Sequence, residues 1–190
     1  MRFIKDDEFI RGNCPMTKED VRILSVVKLE LEEDYKVLDI GAGTGSVSIQ
    51  IAKICKNGKV IAIEKDEDAL VVLNQNKEKF KTHNLEIVNA EAMEVQPSIA
   101  EEYDGIFVGG SGGNIADIIE KYGDKLKKGK NIVLNFITLN NVYKAMEALK
   151  GLNYEVECVQ VQVSKTKGQS YMLMANNPIF IVSGKKRCDL

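Results

Sequence analysis

A chain of 190 residues with 44% hydrophobic content holds one full core and is too short for two ordinary domains with a linker, so a single domain over residues 1–190 is expected. Its 26 basic and 28 acidic residues leave a net charge of −2, which excludes global attraction to a phosphate backbone or an anionic membrane. Apolar runs such as Ile132-Val133-Leu134 fall far short of the roughly 20 residues of a membrane span, and the N-terminus turns acidic at Asp6-Asp7-Glu8 where a signal peptide is apolar. A soluble, cytoplasmic protein with no membrane partner is the expectation.

In chain order, a helix is predicted from Thr17, a candidate N-cap with Asp20 as capping-box partner, through Val21, Leu24, Val27 or Lys28, and Leu31. Lys36 to Ile40 is a short apolar run that breaks at glycines, the pattern of a central parallel strand buried on both faces. Helical spacing resumes at Val47, Ile51, Ile54 and Cys55, with Asn57-Gly58 read as a left-handed C-terminal cap. The alternation continues: strand Val60 to Glu64, helix Asp66 to about Phe80, strand Leu85 to Val88, strand Gly105 to Val108, helix Asn114 to Leu126, strand Asn131 to Ile137, helix Asn140 to Leu149. Strands alternating with helices argue for an α/β fold, a parallel sheet with helices on both faces.

The last forty or so residues break that rhythm. Tyr154 to Ser164 and Ile179 to Val182 are both strand-like with no helix between them, so they are expected to pair antiparallel. This ending distinguishes a seven-stranded, mostly parallel methyltransferase-type sheet with an antiparallel last strand from the six-stranded parallel dinucleotide-binding sheet. The polar tail over residues 185–190 is expected to fray. Cys14, Cys55, Cys158 and Cys188 show no paired spacing, and His83 is the only histidine, so neither a metal site nor a disulfide is expected.

Chemistry concentrates at the ends of the strands. Asp39-Ile40-Gly41-Ala42-Gly43-Thr44-Gly45 follows the first strand and leads into a helix, so its glycines let a polar ligand approach the backbone amides. The second strand ends in Glu64, nineteen residues after Gly45, where a carboxylate accepts from the two ribose hydroxyls of an adenosine. The glycines are spaced Gly-x-Gly-x-Gly rather than Gly-x-Gly-x-x-Gly. Asp39, placed to contact the loop amides or a ligand ammonium, would repel a diphosphate. Both features favour S-adenosylmethionine over a dinucleotide. After the third strand, Glu91 is placed to accept from an adenine amino group beside the backbone of Ala92; an acid here equally suits a helix start. The fourth strand runs into Gly109-Gly110-Ser111-Gly112-Gly113, a stretch that lets a large flat ligand lie against the backbone. Ser111 has no histidine within reach to act as a triad base, and no side chain is singled out as catalytic.

These residues resemble a known family, the decarboxylating precorrin methyltransferases of cobalamin biosynthesis. The similarity covers nearly the whole chain: Asp6 to Arg11, Pro15-Met16-Thr17, Asp39 to Gly45, Gly109 to Gly113, and Asn177-Pro178. The resemblance implies a Rossmann-like fold, cofactor contact by Thr17, Gly41 to Gly45, Glu64 and Ala92, and an N-terminal segment and helix (1–35) covering the cofactor site. It also implies a homotetramer. The implied reaction is methylation of cobalt-precorrin-6B at the C-15 meso carbon with loss of carbon dioxide from the ring C acetate, releasing S-adenosylhomocysteine and cobalt-precorrin-7. A polycarboxylate tetrapyrrole needs local cations, for which Arg11, Lys165 and Lys167 are candidates, beside Gly110 and Ser111 of the second glycine cluster.

Two other readings compete. Transfer-RNA adenine-N1 methyltransferases are similar in their cofactor domain, but they usually carry an N-terminal RNA-contacting module, whereas only about forty residues and no basic stripe precede the glycine loop here. No nucleic-acid partner is therefore expected. A non-catalytic nucleoside-binding or scaffold protein on the same fold is the reading from another class, and the intact glycine loop together with Glu64 and Glu91 speaks against decay.

Overall fold

A computed structural model describes residues 2–110 and 113–188. Five parallel strands, β1 (Lys36–Ile40), β2 (Lys59–Glu64), β3 (Leu85–Asn89), β4 (Tyr103–Val108) and β5 (Leu126–Phe136), form most of a seven-stranded sheet completed by β6 (Tyr154–Val161) and β9 (Ile179–Lys186). The order is β3-β2-β1-β4-β5-β9-β6, with β9 antiparallel to both its neighbours. Between β6 and β9 the chain makes a separate two-stranded hairpin of β7 (Ser164–Lys167) and β8 (Met172–Ala175). The helices are α1 (Glu19–Lys28), α2 (Ser46–Ile54), α3 (Glu67–Phe80), the single-turn α4 (Ala92–Val95), α5 (Ile115–Gly123) and α6 (Leu139–Gly151). The α/β, mostly parallel arrangement read from the sequence is the one the chain adopts.

Strand residues alternate between two cores because successive side chains leave opposite faces. Leu38, Ile106 and Ile132 pack under α5 and α6, while Val37, Phe107 and Val133 pack under α1, α2 and α3. The strand order turns outward in both directions from the β1–β4 pair, so a crevice opens at the carboxyl ends of those two strands. Both glycine clusters emerge there. Among the described residues no helix is long and apolar enough to cross a membrane.

Several sequence expectations are corrected. α1 starts at Glu19 with Lys18 at the N-cap position and no side-chain cap, because the Thr17 carbonyl accepts from Arg22 Nη1 at 2.7 Å and Asp20 pairs with Lys165 at 2.6 Å instead of closing a capping box. Leu31 lies beyond the helix. α2 ends at a Cys55 cap with φ −81, and Gly58, outside the positive-φ glycines, closes the turn by donating to the Cys55 carbonyl at 3.0 Å. α5 stops at Gly123, three residues early, since Tyr103 draws the following segment into the β4–β5 pairing through Leu126. Lys185 and Lys186 belong to β9 and do not fray: Lys185 pairs with Glu30 at 3.0 Å, and Lys186 Nζ donates to the carbonyls of Gly123 and Leu126.

Arg22, which the sequence reading passed over, organises the N-terminal segment. It is fully buried, donates to the Ile4 carbonyl at 2.6 Å and to Asp6 Oδ1 at 3.2 Å, and lies over the Phe9 ring at 4.8 Å. Burial lowers its pKa, and Asp6 opposes that shift. Asn76 of α3 completes the strap, accepting from the Ile10 amide and donating to the Ile10 and Thr44 carbonyls. Residues Pro15 to Lys18 are thereby drawn across the mouth of the crevice.

Candidate active site

The two glycine clusters touch. Gly41 sits at φ +71, and a Cβ there would lie 2.8 Å from both the amide nitrogen and the carbonyl oxygen of Gly110, so a side chain would separate the β1 and β4 loops. Gly45, at φ +78, is the N-cap of α2, and a Cβ there would meet Leu73 of α3 at 2.1 Å. Glycine thus serves loop-to-loop and helix-to-helix approach at these positions as well as any ligand. A Cβ at Gly109 would likewise lie 2.9 Å from the Gly41 carbonyl oxygen, while Ser111 and Gly112 lie outside the described residues.

Glu64, at the carboxyl end of β2, is held by three backbone donors. Gly43 N–H donates to Oε2 at 2.7 Å, and Lys65 and Asp66 N–H donate to Oε1 at 2.8 and 2.9 Å. Of the roughly four lone-pair directions of a carboxylate, three are taken. The loop amide therefore goes to Glu64 and not to Asp39, for which that contact was open. Asp39 is fully buried; its Oδ2 accepts from the Ser48 hydroxyl and its Oδ1 has no partner. Desolvation pushes its pKa up to about 7, against the Ser48 hydrogen bonds that lower it and with a smaller push from Glu64. Glu91 stands at the N-cap of α4 without a side-chain cap bond and pairs with Lys65 at 2.8 Å, which keeps its pKa below the ordinary carboxylate value.

Two cavities meet at Gly41. One, of about 190 Å³, is walled by Gly41, Ile63, Glu64, Glu91, Ala92 and Gly110, with Lys65 at its rim. The backbone at Ala92 is fixed from behind by the buried Tyr122, whose hydroxyl donates to the Ala92 carbonyl at 2.5 Å. The other cavity, of about 230 Å³, lies on the far side of the loop between Gly41 to Thr44 and the strap, with Thr17, Lys18, Phe107 and Asn135 in its wall. Its Thr44 hydroxyl is buried and unpartnered. The loop amides of Gly41, Ala42, Gly43 and Gly45 are bonded within the fold, so what the cavities offer a ligand such as S-adenosylmethionine is acids and apolar walls on one side and the unpartnered Thr44 hydroxyl on the other.

The structure brings Thr17, Gly41 to Thr44, Glu64, Glu91, Ala92 and Gly110 to these two cavities, while Gly45 stands behind them as the α2 cap. Lys165 and Lys167 wall a third cavity at the base of the hairpin, Lys165 already committed to Asp20. Arg11 is not brought there; it is exposed and donates to the Asp6 carbonyl at 3.2 Å. Sequence reasoning missed Lys18 and Asn135, whose positions carry no motif. Among the described residues the four cysteines are unpaired and no three metal-binding side chains cluster.

Comparison with known proteins identifies the family and the fold. The precorrin methyltransferase domain family matches residues 8–186. A Sulfolobus acidocaldarius protein named as a probable cobalt-precorrin-6B C(15)-methyltransferase (decarboxylating) is 40% identical over 188 residues, 97% of each chain. Its Salmonella typhimurium counterpart, with the same name lacking "probable", is 37% identical over 187 residues, 96% of each chain. A crystal structure of a Geobacter metallireducens precorrin-6y C5,15-methyltransferase superposes with a TM-score of 0.91 at 38% identity, covering 97% of both chains. With the matched span, the identity to curated relatives and the fold in agreement, the chain belongs to the precorrin methyltransferase family.

Proposed function

We propose that this protein transfers the methyl group of S-adenosylmethionine to C-15 of cobalt-precorrin-6B and removes carbon dioxide from the ring C acetate, giving cobalt-precorrin-7. The observation that carries the reading is the pair of cavities meeting at Gly41, one rich in acids and one opening toward cations at the hairpin base. The names of the relatives point to the same reaction.

S-adenosylmethionine supplies an already activated sulfonium methyl, and an electron-rich ring carbon can take it in line without a strong protein base. Positioning and exclusion of water are what the chain has to provide. Glu64 takes the ribose: one lone-pair direction is free for one hydroxyl, and a second hydroxyl exchanges with one of the three backbone donors. Glu91 and the Ala92 backbone face the adenine, Glu91 by exchanging part of its bond to Lys65. Thr17 and the loop from Gly41 to Thr44 take the methionine end, under the strap that residues 1–35 supply. The Lys165 and Lys167 pair faces the tetrapyrrole side; Gly110, a substrate candidate from the sequence, walls the acid-lined cavity next to it. A homotetramer in the cytoplasm completes the reading; the exposed Tyr171, Met172, Leu173 and Met174 of the hairpin offer apolar surface for assembly, and the free cysteines suit a reducing compartment.

Incubation with methyl-labelled S-adenosylmethionine and either cobalt-precorrin-6B or transfer RNA tests this. Label should enter only the tetrapyrrole, with release of carbon dioxide; label in RNA overturns the assignment.

A further inference from the structure

The cavity between the glycine loop and the strap has an unusual wall. Among the described residues its only charged member is Lys18, and it holds no acid. Lys18 stands at the N-cap position of α1 yet makes no cap bond through its side chain, and no described carboxylate lies within ion-pairing distance of its ammonium. The carboxylates nearest in the fold are committed elsewhere, Asp6 to Arg22 and Asp20 to Lys165.

Asn135, at the carboxyl end of β5, supplies a second donor to the same wall. The single Ser25 hydroxyl proton of α1 is shared between the Val21 carbonyl at 2.8 Å and Asn135 Oδ1 at 3.0 Å. The amide Nδ2 is buried and without a partner, the free end of the side chain. A buried donor left unpaired has lost its water without a replacement, so it marks a position where a ligand acceptor is gained cheaply.

Lys18 also borders the two cavities that follow outward. The next, about 250 Å³, has apolar walls at Met16, Val21, Ile137, Val161 and Ile179, with Asp20 also in its wall. The last, about 240 Å³, holds Lys165 and Lys167 together with Asp6. An apolar slot with a fixed donor and a free cation at its inner end, and further cations at its outer end, matches a flat apolar ring bearing carboxylates around its edge.

We propose that Lys18 and Asn135 form a carboxylate-binding subsite for the substrate at the inner end of this slot, setting which edge of the macrocycle faces the methyl donor. The identity of the macrocycle rests on the function proposed above; the anion subsite rests on the two donors. Asn135 is the short-range positioning donor, fixed by Ser25, and Lys18 supplies the charge.

The test uses a soluble octacarboxylate porphyrin as probe, with binding followed by fluorescence, alongside S-adenosylmethionine affinity by calorimetry. Lys18→Gln and Asn135→Asp should each weaken porphyrin binding about tenfold or more, the scale for losing a charge-assisted bond or placing like charges together. Lys18→Arg should stay within about threefold of the natural protein, and the exposed surface change Lys150→Gln should leave binding unchanged. S-adenosylmethionine affinity should be the same in all four variants, which shows them folded and separates the substrate's carboxylate from that of the methionine moiety. The proposal is overturned if the natural protein does not bind the porphyrin, if Lys18→Gln and Asn135→Asp bind it normally, or if the loss appears in S-adenosylmethionine affinity instead. Lys18-dependent porphyrin binding by a protein that fails to methylate cobalt-precorrin-6B would support the subsite and remove the proposed reaction.

Discussion

At the Glu64 end of the crevice the polar side chains are already spoken for: Glu64 by three backbone amides, Glu91 by Lys65, the Ala92 carbonyl by Tyr122. At the hairpin end the reverse holds. All eight residues of β7 and β8 are exposed, and Met172, Leu173 and Met174 present apolar side chains to solvent. Under the proposed function, the contrast follows from what each end would recognise. A nucleoside of fixed shape is best met by groups already oriented, because ordering them at the moment of binding costs affinity. A macrocycle edged with carboxylates can be met by cations on flexible stems and an open apolar surface, at lower precision.

Asp39 offers the strongest way to break the comparison, because it is the one acid near the cofactor end whose carboxyl is left half-partnered. In the folded protein it keeps its proton up to about pH 7, whereas in the unfolded chain it loses it near pH 4. The stabilising contribution of the neutral form is therefore complete below about pH 4 and is lost as pH rises toward 7. Asp39→Asn cannot ionise, so its stability relative to the natural protein should rise by about 2 kcal/mol between pH 5 and 7, with the slope flattening as the folded-state pKa is approached. Urea unfolding of both proteins at several pH values measures this; parallel curves would mean that Asp39 is already ionised in the fold.

Glu64→Ala should weaken S-adenosylmethionine binding by about 1.5–3 kcal/mol, the scale for hydrogen bonds to a charged acceptor. Calorimetric titration reads it directly, and unchanged affinity would show that the three-amide cradle orients the loop and not the ribose. The smallest expected effect belongs to the open end. Leu173→Ser, at a residue 68% exposed, should change the unfolding free energy of the protomer by less than about 0.5 kcal/mol. It should nevertheless lower the oligomer mass seen by sedimentation; an intact assembly would show that the hairpin surface faces something other than a second copy.

The glycine-loop half of the candidate site was legible because its determinants are local. Gly41 to Gly45 and Glu64 follow directly on the strands that position them, and an apolar run ending in glycine or an acid announces both the strand and its exit. Asp66 is the same kind of signal, its side chain capping α3 through the Ala69 amide at 2.8 Å as the helix read from that residue requires. Thr17 misled for the opposite reason: its local capping pattern is complete, and a contact with Arg22 outweighs it. The β7–β8 hairpin gave no period-two signal because neither of its faces is buried.

By itself, then, the sequence determined the strand-and-helix alternation, the antiparallel ending and the acids at the strand ends, all of which depend on neighbours a few residues apart. Only the tertiary structure decided that Gly41 meets Gly110, that Arg22 ties down the strap, and that Lys18 and Asn135 share one cavity wall. Each of these joins residues from distant parts of the chain. No local pattern encodes such a pairing, because burial and the demand for a hydrogen-bond partner are settled only when the sheet brings its strand ends together.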